Sequence, residues 1–431
     1  MRIANNVVKN GQKCLNYLRD NVKKPPSLFI GAGILLLVCC GGGEEQAGPA
    51  VSPWLEDIAW IQDSLPELHY DLFMYVPRDS LIARLDRLRS DLDSMTDMEI
   101  VMKLTEILAA QRCSHTGIAF WENCDMRVYP LSIMWLNTGL YVTMIHRDHE
   151  ELLGSRLLSY DGRPGEEAAA AISRLFPAVN SVQPRTRAEN LMMLAGCMEV
   201  LGYGSSTEEV PFQFLTAGGD TVEVDFTAGD MDYSAMVDFH NSGSLPIWLN
   251  SDACYWYRYL PQYDALYYAY NSCSLMEDYG IEELVEDMDD ELEDKDIRHV
   301  IVDLRRNSGG NSLLAYPVIQ WLGEVSAQGR AEVSLIIGRW TYSSGILNAL
   351  DIAAIPGVTV YGDSTGGAPN HLGEVRSAAL PFSGLPVSYP TKYFQAVEGE
   401  GRTMVPDVVV PLDPGMLFSG ENRIIELIVD E

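Results

Sequence analysis

The sequence has few basic residues and lacks a cysteine pattern typical of a metal site. It contains 30 Lys and Arg against 61 Asp and Glu in 431 residues, a formal net charge of −31. A negative field of this size repels phosphate backbones, so the composition argues against nucleic acid as a partner. No CxxC or Cys/His spacing predicts zinc among the 8 cysteines.

An apolar run long enough to cross a bilayer is also missing from the N-terminus. The run SLFIGAGILLLVCC, which ends at Cys40, is shorter than the roughly 20 residues that a membrane helix needs. Basic residues precede it: Lys9, Lys13, Arg19, Lys23 and Lys24. This order is typical of a signal peptide, so residues 1–40 are predicted to be one. Residues 41–51, rich in Gly and Glu, predict a flexible tether.

The rest of the chain is ordinary globular material. Its composition, 47% hydrophobic and 21% charged, excludes a disordered chain, a collagen and a coiled-coil rod. Residues 52–116 predict helices, since Leu81, Leu85, Leu88 and Leu92 recur at helical spacing and Thr96 with Glu99 forms a capping box. Apolar and polar residues alternate within residues 117–226, which predicts a mainly β region interrupted by one helix, EEAAAAISRLF.

A third region, residues 227–431, holds the strongest fold signal. Its aromatic segment, residues 255–271, predicts half-buried strands. An acid-rich segment from Ile281 to His299 keeps helical spacing, and lacks the Asp and Gly pattern of a calcium loop, so a solvated helix is the better interpretation. Beyond it, short apolar strands alternate with helices, which predicts a parallel βαβ layer with a site at the carboxyl ends of its strands.

Two loops at those strand ends carry candidate residues. Gly309 and Gly310 lie in VIVDLRRNSGGNS, where exposed backbone amides could hold an anion, although a plain turn has the same sequence. Ser343 and Ser344 lie in GRWTYSSGILNAL between a strand and a helix. Ser343 is either an exposed nucleophile or a helix N-cap.

A resemblance favours the nucleophile. The blocks VIVDLRRNSGG, TYSSG, VYGDSTGGAPN and EGRTMVPDVVV resemble, in this order, the C-terminal-processing and tricorn-like serine peptidases. The resemblance implies an α+β chain with a crotonase-like α/β core, residues 227–431, in which Ser343 attacks a peptide carbonyl. It also implies an oxyanion hole made by the amides of Ser344, Gly309 and Gly310, and no metal or cofactor.

Which residue acts as the general base depends on the branch of the family. Where tail-specific proteases carry the lysine of a Ser-Lys dyad, this sequence has Ala368, so that mechanism is rejected. The tricorn-like branch takes a histidine from an N-terminal Ser-His pair, which resembles Ser114 and His115 in QRCSHTGI. The resemblance further implies that Glu400, or its rival Glu398, supports the site through Ser114.

Two further resemblances concern the central region and the N-terminus. The stretch that begins GLYVTMI at Gly139 resembles the PDZ-like element of some relatives, which implies a peptide groove. LLVCC resembles a bacterial lipobox, which implies lipidation of Cys40, or of Cys39, and an extracytoplasmic protein held on a membrane; an uncleaved anchor is the alternative.

The remaining cysteines leave the disulfide pattern open. Five follow the lipobox, so in an oxidising compartment at least one thiol stays free. Cys113 with Cys124, and Cys254 with Cys273, are the pairs that sequence proximity suggests.

These features together predict a lipid-anchored serine peptidase that acts on short peptides or unfolded proteins. Two alternatives keep the same fold. One is a silent protein that binds peptides or apolar ligands, and the other is an esterase that uses the same site.

Overall fold

The computed structural model describes residues 52–120, 126–238, 246–249 and 253–430. The predicted signal peptide, the tether, Cys39, Cys40 and Cys124 lie outside these ranges. No helix within them is long and apolar enough to cross a bilayer.

The N-terminal part is helical, as its leucine spacing predicts. Its helices are α1 (Trp54–Ala59), α2 (Leu65–Leu68), α3 (Arg78–Asp91) and α4 (Asp97–Ala109), with a π turn at Trp60–Ser64. The predicted capping box is present: Thr96 accepts from the Glu99 amide, and the Glu99 side chain accepts from the Thr96 amide. This start fixes the register of α4, after which the chain enters the short strand β1 (Gly117–Ile118).

The central region is mainly antiparallel sheet, as predicted. Seven strands form it: β2 (Leu131–Leu136), β3 (Gly139–His146), β4 (Arg156–Tyr160), β5 (Arg163–Pro164), β6 (Glu209–Leu215), β7 (Thr221–Thr227) and β8 (Met236–Asp238). Three helices interrupt it: α5 (Gly165–Ser173), α6 (Gln183–Leu191) and α7 (Ala195–Val200). The expectation of one helix was therefore wrong, because α6 is mostly polar and α7 is too short to show an apolar repeat.

The paired edges of β3 argue against a PDZ-like groove at this strand. One edge pairs with β2 along the strand, and the other pairs with β4 near Leu140 and with β8 near Ile145. A peptide that adds to a sheet needs unpaired backbone groups, and β3 has no free edge that could supply them.

The C-terminal region contains the predicted parallel layer. Six strands form one sheet in the order β16, β13, β12, β11, β10, β9: β9 (Tyr255–Leu260), β10 (Ala265–Tyr270), β11 (His299–Asp303), β12 (Glu332–Ile337), β13 (Thr359–Gly362) and β16 (Val408–Val409). All neighbouring pairs from β10 to β16 are parallel, and β9 is antiparallel to β10. All six residues of β10 are buried, so the expectation of half-buried strands was wrong there, because a central strand is covered on both faces.

Helices surround and follow this sheet. They are α8 (Ile281–Asp294), α9 (Tyr316–Ala327), α10 (Ser344–Ala353), α11 (Pro414–Ser419) and α12 (Arg423–Asp430). The acid-rich segment is a helix, as predicted: α8 buries Ile281, Leu284, Met288 and Leu292 along one side. Short 3-10 segments complete the elements: Leu92–Ser94, Arg147–Leu152, which is kinked at His149, Tyr233–Ala235, Ile247–Leu249, Pro261–Tyr263 and Ser312–Ala315.

A third sheet joins the segment that follows α4 to the C-terminal region. It has the order β1, β15, β14, where β14 is His371–Ala379 and β15 is Pro386–Phe394. Gly117 pairs with Ser388, and side chains of β15 such as Val387 share one hydrophobic core with the N-terminal helices. This pairing holds the segment before β1, which contains Ser114 and His115, against the C-terminal region.

The cysteines do not form the suggested bridges among the described residues. Cys254 and Cys273 carry separate thiols, and Cys113 also carries a thiol. Cys273 Sγ instead lies 3.3 Å from the side-chain oxygens of both Asn307 and Asn348, and its one S–H proton can donate to either. The pairing of Cys254 with Cys273, which the sequence left open, is therefore absent.

Candidate active site

Ser343 lies on a tight turn between β12 and α10, at the carboxyl end of the parallel sheet. The turn is fixed by Thr341, whose Oγ1 donates to the Leu304 carbonyl at 2.8 Å and accepts from the Gly338 amide at 3.0 Å. The Tyr342 amide then donates to the Asn307 carbonyl at 2.9 Å. These bonds tie the turn to the ends of two neighbouring strands.

The backbone of Ser343 is strained. Its φ is 51° and its ψ is −126°, a conformation that residues with a Cβ rarely adopt. The Ser343 hydroxyl does not cap α10, although the residue occupies the N-cap position. The helix-cap interpretation of Ser343 is therefore wrong, and its hydroxyl is directed elsewhere.

His115 is placed by the break between α4 and β1. The chain leaves α4 through Arg112, whose φ is 63°, and Thr116 is anchored by a 2.8 Å hydrogen bond between its Oγ1 and His69 Nε2. The Tyr342 hydroxyl donates to the Ser114 carbonyl at 2.7 Å, which joins this segment to the turn that carries Ser343.

The hydroxyl of Ser343 and the imidazole of His115 meet, although 228 residues separate them. Ser343 Oγ and His115 Nε2 are 3.2 Å apart, and His115 Nδ1 is 3.1 Å from Ser114 Oγ. In the tautomer that carries its proton on Nδ1, Nε2 offers a lone pair that can accept the Ser343 proton.

The surroundings of His115 keep its imidazole neutral. Burial, followed by the positive charges of His371 and Arg187, lowers the pKa of His115 to about 3. The Leu372 carbonyl acts in the opposite direction but does not outweigh burial. A neutral imidazole at ordinary pH is the form that a general base requires.

Two of the three predicted oxyanion donors are available. The Gly309 amide donates to Asn307 Oδ1 at 3.0 Å, so the expectation that it holds an oxyanion is wrong in this conformation. Within the described ranges, the amides of Gly310 and Ser344 have no protein acceptor, and Ser344 begins α10, where the helix dipole favours negative charge.

Gly309 has a steric role instead. Its φ is 107°, and a Cβ at this position would lie 2.8 Å from the Ser343 Cβ and 3.1 Å from the Ser344 amide nitrogen. Only a residue without a side chain lets the loop approach the turn so closely.

Glu400 is not brought to Ser114. Its side chain is 76% exposed and pairs with Arg402, 2.7 Å from Oε2 to Nε. The loop that carries it is held by Asn370, which bonds the backbone of Val397 and Gly399 and leaves Glu400 facing solvent. Glu398 is exposed as well. Neither carboxylate makes the contact that the resemblance implied.

Sequence reasoning missed three residues that build the site. Asn307 is fully buried and bonds the Tyr270 carbonyl and the Gly309 amide. Tyr342 and His371 stack on the His115 ring, with centroids 5.0 and 5.6 Å away. Asn307 lies inside the block VIVDLRRNSGG, and His371 directly follows the block VYGDSTGGAPN. The motif was interpreted through its glycines, so these polar side chains were not considered as site residues.

Comparisons with known proteins support the fold. The structure of mature CPAF complexed with lactacystin is 12% identical with a TM-score of 0.62, and the match covers 87% of this chain and 97% of that chain. Another structure of mature CPAF has a TM-score of 0.61 at 12% identity, over 87% of this chain and 96% of that chain. This chain therefore shares the mixed α/β fold of CPAF.

A weaker similarity links the chain to the photosystem II D1 C-terminal processing protease. It is 12% identical with a TM-score of 0.42, over 88% of this chain and 98% of that chain, which is too low to establish a shared fold. No family model and no curated protein sequence matches the chain.

Proposed function

We propose that this protein is a serine peptidase of the tricorn-like type, with Ser343 as nucleophile and His115 as general base. One observation carries the proposal: the hydroxyl of a serine with a strained backbone lies 3.2 Å from Nε2 of a buried histidine. A hydroxyl held in this way can attack a carbonyl while its proton moves to the imidazole. We also propose that the core, residues 227–431, is crotonase-like, as the family resemblance implies.

The chemistry then follows from the site. Attack by Ser343 on a peptide carbonyl gives a tetrahedral intermediate, whose oxyanion the amides of Gly310 and Ser344 would hold. Each such donor contributes about 3 kcal/mol where donors of this kind have been removed. His115 passes its proton to the leaving amine, an ester forms on Ser343, and water activated by His115 hydrolyses it.

The substrates we propose are short peptides and unfolded segments. The test is a panel of peptides and acyl esters, compared by kcat/KM for the wild type and for Ser343→Ala. Peptide turnover that disappears in Ser343→Ala supports the proposal. Turnover confined to esters would make the protein an esterase, and binding without turnover would make it a silent binder.

We also propose that the protein is anchored to a bacterial membrane outside the cytoplasm through a lipid on Cys40. The support is the short apolar run that ends in LLVCC after a basic segment. Cys40→Ala should abolish incorporation of labelled palmitate and release the protein from the membrane fraction. Cys39→Ala is the matched control, and loss of labelling in that variant alone would move the site by one residue.

A further inference from the structure

The His115 ring stands inside a column of stacked side chains. It stacks on the Tyr342 ring and on the His371 ring, with interplanar angles of 27° and 23°. His371 in turn stacks on Phe394, with centroids 5.3 Å apart and an angle of 24°. Each ring is therefore within 27° of parallel to the ring it stacks on, and the four rings come from three separate parts of the chain.

A cation lies at each end of this column. The Arg187 guanidinium is 5.6 Å from the Tyr342 ring centroid, and Lys392 Nζ is 4.6 Å from the Phe394 ring centroid. Lys392 also faces Glu374, 3.7 Å from Nζ to Oε1, which offsets its charge. The Arg187 charge lowers the pKa of His115, after burial and the charge of His371.

His371 is itself held in place. It is 4% exposed, and its Nδ1 is 2.8 Å from the Ala368 carbonyl, so Nδ1 carries the proton of the neutral ring. It is the first residue of β14, so the start of this strand holds the face of the His371 ring against His115.

We propose that His371 is a positioning residue for His115, whose stacked ring keeps the His115 imidazole in the plane that directs Nε2 at Ser343. This inference rests on the proposed function. Imidazole rotation about the Cβ–Cγ bond is otherwise soft, because that torsion is broad. The stacked rings of Tyr342 and His371 restrict this rotation of the His115 imidazole. The restriction matters because a small error in the orientation of a catalytic group lowers the reaction rate strongly.

The second imidazole also affects the charge of the first. A proton on His371 repels a proton on His115, and this repulsion is the largest charge effect that lowers the pKa of His115, with Arg187 next. Among the described residues, the further groups in contact with either ring are uncharged: Ser114, Ser343, Tyr342, Phe394 and the Ala368 carbonyl. Burial lowers the pKa of His371 as well.

Two variants of His371 distinguish the effect of its aromatic ring from the effect of its titrating proton. His371→Phe keeps an aromatic face against His115 and removes the titrating group, whereas His371→Leu removes both. His149→Phe is the matched control, because His149 packs edge-on against Phe226 in the central sheet, outside the column. Each full-length variant is examined by NMR titration of its histidines, seven in the wild type, and by kcat and KM on the best substrate of the panel.

The two effects have separate readouts. In His371→Phe the pKa of His115 should rise while kcat at alkaline pH stays within about threefold, since the stack is retained. In His371→Leu kcat should fall by about tenfold to a hundredfold with KM nearly unchanged. His149→Phe should change neither quantity.

The contrary results are equally distinct. An unchanged kcat in a folded His371→Leu variant would overturn the positioning role, and an unmoved His115 titration in His371→Phe would overturn the charge coupling between the two rings. A wild-type protein without turnover would refute the peptidase proposal, while the His115 titration in His371→Phe would still decide whether the two rings are coupled.

Discussion

The group that orients His115 can be identified by comparing two substitutions, Ser114→Ala and Glu400→Gln. The family resemblance assigns support of the site to Glu400 acting through Ser114. In the structure Ser114 Oγ lies 3.1 Å from His115 Nδ1, while the Glu400 carboxylate is exposed and paired with Arg402. We therefore expect Ser114→Ala to slow the attack by Ser343, and Glu400→Gln to leave it nearly unchanged.

The size of the Ser114 effect follows from the contacts of Nδ1. A neutral hydrogen bond contributes about 0.5–1.5 kcal/mol net, which corresponds to about twofold to twelvefold in rate. The loss should not be larger, because Ser114→Ala leaves the Tyr342 and His371 rings stacked on the imidazole. Glu400→Gln should change the rate by less than about twofold, as expected for an exposed ion pair.

The assay is the second-order rate constant for labelling by a fluorophosphonate, followed by intact-protein mass spectrometry. Labelling requires the nucleophile and its base but no knowledge of the natural substrate. If Glu400→Gln slows labelling as much as Ser114→Ala, our assignment of the orienting group is incorrect, and the loop that carries Glu400 must reach the site during turnover.

Three further outcomes follow from the same geometry. Because the pKa of His115 is lowered to about 3, labelling should persist below about pH 5, and an acid limb near the ordinary histidine value would contradict this. Tyr342→Phe leaves the Ser114 carbonyl without its donor, so chemical denaturation should show a loss of about 1–3 kcal/mol; an unchanged midpoint would contradict the link. Gly309→Ala places a Cβ 2.8 Å from that of the nucleophile and should abolish labelling, while Gly219→Ala, also at positive φ but in open space, should not.

Much of the fold could be predicted because its signals are local. The Thr96 capping box and the alternation of apolar strands with helices each depend on neighbouring residues, and both predictions are confirmed. Helix α6 was missed because its stability comes from packing and not from an apolar stripe of its own. The pairing of β1 with β15 joins residues more than two hundred positions apart, and no local pattern encodes it.

The candidate site, like the fold, could be predicted only in part from the sequence. Ser343 and His115 could be proposed because motif order suggested them, and the structure brings them within hydrogen-bond distance. Glu400 was expected at Ser114, but tertiary contacts of Asn370 hold its loop elsewhere. Gly309 was expected as a donor, but whether an amide is free depends on a side chain such as Asn307 that spacing alone cannot orient.

The central claim is that Ser343 is a nucleophile activated by His115, and peptide mapping of the fluorophosphonate adduct tests it most directly. The account predicts a single adduct on the peptide that contains Ser343, no adduct in Ser343→Ala, and strongly slowed labelling in His115→Ala with the fold intact. Labelling of another residue, or equal labelling of His115→Ala and the wild type, would contradict it.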